Sequence, residues 1–374
     1  MRFSCTYTII ANLHNILLNT TYLAKFVCIY TRTMAKQATI TEIAKRAGVS
    51  IGTVDRVLHN RAGVSQKSRD KIQAILDEVG YKINLHTSAV ALRKEYHIII
   101  SVPHSEPGEY WDSLLKGTRQ AMEEYSDIHM ICDVLPYDQF DPASCHEAFA
   151  RIPGMNPDAV IIGPTFGTET HELCSILEEK SIPYIFVDTT FSDTHPLAAF
   201  TADQPAGGSL VGRLLDKVTA PGKDIALILS RFGGNGKAQN MEQRRQGLLH
   251  YVSEYCEKRR LFEAEAPDLE KLLTDNPTIG GICVLNSRGY VVADYLAKSG
   301  RDDICVVAFD LTEKNIQSLK EGNIFALICQ RPERQGFLAV TTLLEYLLYR
   351  KTKKENHFLM PLDIVLKENL PFYQ

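Results

Sequence analysis

Paired cysteines are missing from this sequence. Its nine cysteines stand singly at positions 5, 28, 132, 145, 174, 256, 283, 305 and 329, with no C-x-x-C pair and no histidine at zinc-site spacing. That excludes a disulfide framework and a zinc finger, and the odd, scattered set reads as reduced cytosolic thiols packed in a core. Long apolar runs are missing too: no segment is long enough to span a bilayer. Catalytic signatures are equally scarce. There is no G-x-S-x-G elbow, and His146-Glu147 and His171-Glu172 lack the second histidine of H-E-x-x-H. The glycine-rich stretch 232–237, FGGNGK, has Arg231 where a P-loop needs its first glycine and Ala238 where it needs Ser or Thr. The sequence therefore offers no catalytic residue, no metal ligand set and no cofactor motif, and it reads as a binding protein.

What is present is globular composition, with 45% hydrophobic and 23% charged residues over 374 positions. That length suits two or three folded units. The formal net charge of -4 is unevenly spread. Residues 34–94 carry eleven Lys or Arg against five Asp or Glu, a net +6; residues 1–33 add +3 and leave -13 for the rest. A small basic unit precedes a large acidic body, which points to a polyanion partner for the first part alone.

Residues 1–33 open with Arg2 and the apolar Ile9, Ile10 and Ile16 to Leu18, the outline of a poor signal peptide interrupted by Asn12, His14, Asn15 and Asn19. They read as a non-native extension ahead of a true start at Met34. An exported sugar-binding receptor of a transport system, using this stretch as its signal, is the competing class. From Thr39 the signals become dense. Thr39-x-x-Glu42 is a capping box, and Ile40, Ile43, Ala44 and Ala47 repeat with helical spacing up to Gly48. Ser50 caps a second helix over 51–58, and Ser65 a third whose Ile72, Ile75, Leu76 and Val79 share a face ending at Gly80. Three short helices with a three-residue turn between the first two make a helix-turn-helix. Residues 82–95 are polar and suit a hinge.

Beyond residue 95 the pattern changes to short apolar runs alternating with amphipathic helices. Runs at 97–103, 128–134, 159–163, 184–188, 225–229, 282–285, 305–310 and 325–330 are separated by helical stretches at 110–125, 169–180, 208–218, 239–255 and 289–299. A repeated β-α-β order with fully apolar strands predicts an α/β core of buried parallel sheets, and its length predicts two doubly wound lobes with a cleft between them. The expected division is a helix-turn-helix domain at 34–81 and a ligand-binding core at 96–374. One lobe is expected over 96–202 and 331–355, the other over 203–330 and 356–374.

Residues 39–81, TITEIAKRAGVSIGTVDRVLHNRAGVSQKSRDKIQAILDEVGY, closely resemble the headpiece of the lactose and galactose repressor (LacI/GalR) family of bacterial transcription regulators. A-G-V-S, T-V-x-R-V-L, V-S-x-x-S-R-x-K-I and G-Y fall in family order, and the acidic body resembles the family's sugar-binding core. The resemblance implies a cytoplasmic homodimer, usually a repressor, with an operator half-site on double-stranded DNA as partner, a small sugar as effector and no membrane. Ile51, Gly52 and Arg56 fall on the base-reading positions: Arg56 can donate two bonds to guanine, Ile51 offers apolar contact to a thymine methyl, and Gly52 reads nothing. Asp55 either accepts from cytosine N4 or repels phosphate. Thr53, Asn60, Ser65 and Lys67 are candidate phosphate positioners, with helix capping the plain alternative for Ser65, and Ser50, the cap of the second helix, joins the DNA-binding set. In the hinge the family's proline is missing, since the chain reads Tyr81-Lys82-Ile83-Asn84; Asn84 keeps the motif, and Val90 stands at the residue that wedges into the minor groove.

Within the body, residues 109–117, EYWDSLLKG, resemble the first strand-to-helix junction of ribose-type periplasmic binding proteins, with Tyr110 and Trp111 on their paired aromatics. Flat aromatic faces suit the C–H faces of a sugar ring; the competing reading is packing beneath the helix. Asp188, Arg244, Asn286, Asp310 and Gln330 match positions that hydrogen-bond sugar hydroxyls, all but Arg244 following strand ends where α/β sheets open onto their clefts. Thr189 replaces an arginine of the ribose-type site, Ser287 replaces an aspartate, and 256–277 is short, so the ligand differs from ribose in the expectation these residues set.

Overall fold

The computed structural model describes residues 40–58, 63–79, 95–229, 239–256, 258–352 and 355–373. The chain divides into two units, residues 1–83 and 84–374. The capping residue Thr39, and the expected hinge apart from Glu95, lie outside the described residues.

The first unit holds three helices, α1 (Ile40–Ala47), α2 (Ile51–Leu58) and α3 (Gln66–Glu78). Helical spacing puts Ile43, Ala44 and Ala47 on one face of α1, where they meet Val54 and Val57 of α2 and Ile72 and Leu76 of α3 in one small core. The turn after α1 needs a left-handed residue, and Gly48 supplies it at φ +70°. Ser50 then starts α2, its hydroxyl accepting from the Thr53 amide at 3.1 Å. Ser65 does the same for α3, accepting from the Ser68 amide at 3.3 Å. An ion pair between Arg46 and Glu78, at 2.7 Å, ties α1 to the end of α3.

The second unit alternates strands and helices. Its first lobe contains β1 (Tyr96–Ser101), α4 (Tyr110–Glu124), β2 (Met130–Val134), α5 (Pro142–Arg151), β3 (Ala159–Ile162), α6 (Gly167–Glu179), β4 (Tyr184–Asp188) and β5 (Ala198–Ala202). The chain then crosses to α7 (Gln204–Val218), β6 (Asp224–Leu229), α8 (Gln239–Tyr255), β7 (Leu261–Glu265), α9 (Leu269–Asp275), β8 (Ile279–Val284), α10 (Gly289–Lys298), β9 (Cys305–Phe309), α11 (Glu313–Glu321) and β10 (Ala326–Cys329). It returns through α12 (Pro332–Tyr349) and ends with β11 (His357–Met360) and β12 (Asp363–Val365).

Two six-stranded sheets result, ordered β11-β5-β4-β3-β1-β2 and β12-β10-β9-β8-β6-β7. Each described pair is parallel except β12 with β10. The lobes repeat one plan, with β1 to β5 corresponding to β6 to β10, so β4 and β9 hold equivalent places. Strands β3, β4, β5, β8 and β10 are buried at every residue, the signature of sheets covered by helices on both faces. This is the doubly wound, two-lobed α/β architecture that the sequence pattern predicts.

One expected boundary moves. β11 joins the first sheet, pairing with β5 from His357 opposite Ala199 to Met360 opposite Ala202, so residues 357–360 belong with the first lobe and not the second. The cause is packing at the sheet edge, where Phe358 stacks on Phe200 with ring centroids 5.3 Å apart. The last crossing falls between Met360 and Asp363. One helix and one strand also start apart from their expected limits: the helix read over 208–218 begins at Gln204, and the strand read over 128–134 begins at Met130.

Candidate functional site

In the first unit the surface of α2 carries the candidate DNA contacts. Val54 and Val57 point inward, which turns Ile51, Gly52 and Arg56 outward; Thr53 and Asp55 are half-buried. Ile51 is 52% exposed and so free to make an apolar contact. The Ser50 and Thr53 hydroxyls lie 2.9 Å apart at the start of this helix. Ser65 and Lys67 are exposed at the start of α3, and Ser65 also donates to the Ser68 hydroxyl at 2.9 Å, so capping accounts for its local bonds. Asn60, Asn84 and Val90 lie outside the described residues.

In the second unit the strand ends converge. Asp188 closes β4 and Asp310 follows β9, at equivalent points of the two lobes, and both hold φ +69°. Left-handed backbone at a non-glycine residue is strained, and its repetition at matched strand ends marks a site where the fold holds each carboxylate in place. The Asp188 amide donates to Gln335 Oε1 at 2.8 Å and the Asp310 amide to the Ile328 carbonyl at 2.8 Å.

Around these carboxylates runs one hydrogen-bonded network. Tyr110, at the start of α4, donates its hydroxyl to Asp188 Oδ1 at 2.7 Å, and Asn240 of α8 donates to Asp188 Oδ2 at 2.9 Å. Arg244, a turn further along α8, donates through Nε to Gln204 Oε1 at 2.6 Å, through Nη1 to the Leu285 carbonyl at 2.7 Å and through Nη2 to Gln330 Oε1 at 2.8 Å. Its guanidinium lies 4.1 Å from the centre of the Phe309 ring. Gln330, at the end of β10, passes the chain on by donating to Asp310 Oδ1 at 2.8 Å. Trp111 meets Tyr110 edge to face at 5.1 Å and covers Gly163, where a Cβ would stand 2.6 Å from the indole.

Burial sets the electrostatics. Asp188 and Asp310 are 4% and 5% exposed, and loss of water raises both carboxyls above the usual range, Asp310 from 3.8 to about 6, with the Arg244 charge opposing the rise. Burial likewise pushes the Tyr110 hydroxyl well above its ordinary value, reinforced by the negative charge of Asp188. Contacts that join the lobes here include Asn240 to Asp188, Gln204 to the Asp188 carbonyl at 3.5 Å, Gln335 to the Gln330 carbonyl at 3.0 Å and the Glu313 amide to the Gly108 carbonyl at 2.9 Å. Beside them opens a groove of about 1420 Å³ with Tyr110, Asp310, Lys314, Arg331 and Glu333 on its walls.

Of the seven residues read from the sequence as ligand contacts, Tyr110, Asp188, Arg244, Asp310 and Gln330 share this network and Trp111 packs on it. Asn286 stands beside it, half-buried, with its amide turned to the Met241 sulfur at 3.7 Å and its Oδ1 accepting from the Arg288 amide. Gln204, Asn240 and Gln335 are members that sequence reasoning missed. Gln204 and Gln335 are buried amides near the starts of otherwise apolar helices, and that mismatch is a usable signal.

A basic helix-turn-helix unit and a two-lobed α/β core with a polar cleft define the class. The chain belongs to the periplasmic binding protein domain family, whose model matches residues 98–351, and it carries a domain of the bacterial regulatory proteins, lacI family, at residues 39–84. Among curated relatives, the HTH-type transcriptional regulator DegA of Bacillus subtilis is 29% identical over 170 residues, 45% of each chain. The match thus spans less than half the length of that relative. A solved structure from Bacteroides fragilis, described as that of a candidate LacI transcriptional regulator, superposes with a TM-score of 0.71 at 29% identity, over 75% of this chain and all of that one. A solute-binding protein of a carbohydrate transporter from Agrobacterium radiobacter, solved with D-arabinose, shares the fold with a TM-score of 0.64 at 22% identity, over 74% of this chain and 96% of that one. No described helix is long and apolar enough to cross a membrane.

Proposed function

We propose that the chain is a cytoplasmic, homodimeric, sequence-specific DNA-binding repressor whose operator affinity is set by a small carbohydrate held between the core lobes. One observation carries the reading: a helix with an outward Ile51 and Arg56 stands in the same chain as a closed cleft network built on Asp188, Arg244 and Asp310. In the first unit, Ile51 meets a base methyl and Arg56 a guanine in the major groove, while Thr53 and Lys67 fix the frame on phosphates. Asn84 and Val90 extend that contact through the hinge into the minor groove. In the second, Tyr110 and Trp111 face the sugar ring, Asp188, Asp310, Asn286 and Gln330 bond its hydroxyls, and Arg244 orients the amides around it. The lobes bind the sugar without turning it over. Closure on the sugar shifts one lobe against the other and changes the spacing of the two headpieces.

The test is selection of duplex DNA from a random pool by the full chain, followed by anisotropy titration of the selected sequence. A two-fold symmetric site bound at least 1,000 times more tightly than random duplex, about the floor for specific DNA binding, supports the reading. Binding without sequence preference, or recovery of the native protein from the periplasm, overturns it in favour of an exported receptor.

A further inference from the structure

The cleft network contains two carboxylates and one guanidinium, and the guanidinium is engaged elsewhere. All three Arg244 nitrogens donate to amide or carbonyl oxygens, of Gln204, Leu285 and Gln330, and its face lies on Phe309. Asp188 accepts only from the neutral donors Tyr110 and Asn240 and from no cation among the described residues. Asp310 accepts only from Gln330, through Oδ1, so among the described residues its second carboxylate oxygen has no donor, and the residue, 5% exposed, lines the groove. Four of the five cations on the groove wall have other partners, Arg334 lying 5.3 Å from the centre of the Phe337 ring. Arg331 grips Asp363 at 2.6 and 3.0 Å, Lys116 pairs with Glu333 at 3.0 Å, and Lys314 sits 4.9 Å from the centre of the Tyr290 ring.

A buried carboxylate without a paired cation is costly, and the cost falls when a cation is supplied. We propose that the cleft selects a carbohydrate bearing a protonated amine, seated against the open oxygen of Asp310 on the groove wall, and rejects carboxylated and phosphorylated sugars. This rests on the reading of the cleft as a carbohydrate site and narrows it. An ammonium brings three donors and one positive charge, which fits the open Asp310 oxygen and offsets the surplus carboxylate. A sugar acid or phosphate would place a second uncompensated anion in the same desolvated space.

The experiment is calorimetric titration of the full chain at pH 7 with matched sets: D-glucose, D-glucosamine, D-glucuronate and D-glucose 6-phosphate, and the corresponding galactose series. The expected result is an amine that binds at least tenfold more tightly than its neutral parent, with no heat from the acid or the phosphate. In the isosteric variant Asp310→Asn the ratio of amine to neutral affinity falls towards one. An acid or phosphate that equals the neutral parent, or an amine preference that survives Asp310→Asn, overturns the proposal and leaves the carbohydrate reading standing. Silence from every sugar in both series overturns the carbohydrate reading and this proposal together.

Discussion

Replacing Asp310 by asparagine should stabilise the ligand-free core while weakening its binding. The side chain is 5% exposed, and burial raises its carboxyl from 3.8 to about 6. That difference corresponds to about 3 kcal/mol of preference for the protonated form in the folded protein. The folded state binds this proton more tightly than the unfolded chain, so the contribution of Asp310 to stability is greatest below about pH 4. It declines as pH rises from 3.8 towards about 6 and is level above that. Asparagine has the same shape, keeps an oxygen to accept from Gln330 Nε2, and tolerates the left-handed backbone at φ +69°. The variant should therefore gain up to about 3 kcal/mol over the native chain at pH 7 and nothing at pH 3.5. Urea unfolding of both proteins between pH 3.5 and 7.5 reads the difference directly. Distant carboxyls such as Asp224, held at about 2 with its bonds to Arg260 opposing its burial, cancel when one protein is subtracted from the other. A variant less stable than the native chain at pH 7, or a difference that does not change with pH, would refute the reasoning.

Three other changes test separate parts of the account. Gly163→Ala places a methyl 2.6 Å from the Trp111 ring and should displace it, lowering sugar affinity tenfold or more; since Trp111 is the only tryptophan, intrinsic fluorescence reports the shift, and an unchanged spectrum with unchanged affinity counts against a role for that ring. Arg56→Ala should cost about 1–3 kcal/mol of operator binding and relax base preference at one position of each half-site, measured by anisotropy against single-base variants. Ser65→Ala removes the acceptor for the Ser68 amide and should cost the headpiece about 1 kcal/mol, read from thermal unfolding by circular dichroism; a loss confined to DNA affinity would make Ser65 a phosphate contact instead.

The headpiece was legible because its signals are local. Ser50, Gly48 and Ser65 are caps and stops whose partners lie within four residues, and the apolar spacing of α1 to α3 carries the rest. The central strands were legible because they are apolar throughout. β5, Ala198–Ala202, was not: three of its five residues are alanine, a weak strand former, and it is held by β4 on one side and β11 on the other. β11 itself depends on Phe358 meeting Phe200 from far along the chain. The strand-end carboxylates were legible from their position together with the family resemblance, and the structure brings Asp188, Asp310, Arg244 and Gln330 into one network. Gln204, Asn240 and Gln335 could not, since their partners are set by how lobes and helices meet: Gln335 accepts from an amide 147 positions away. Asn286, also at a strand end, stands beside the network with its amide turned to Met241, a contact that depends on the placement of α8.

The most direct test of the account is operator affinity of the full chain with and without a saturating concentration of the tightest-binding sugar from the titration series. Coupling between cleft and headpiece predicts a change of at least fivefold in the dissociation constant, the lower end of ordinary allosteric coupling at about 1 kcal/mol. The same factor should appear when sugar binding is measured with and without operator. Equal operator affinity in the two conditions, with the sugar demonstrably bound, would contradict the claim that this chain is a ligand-controlled regulator.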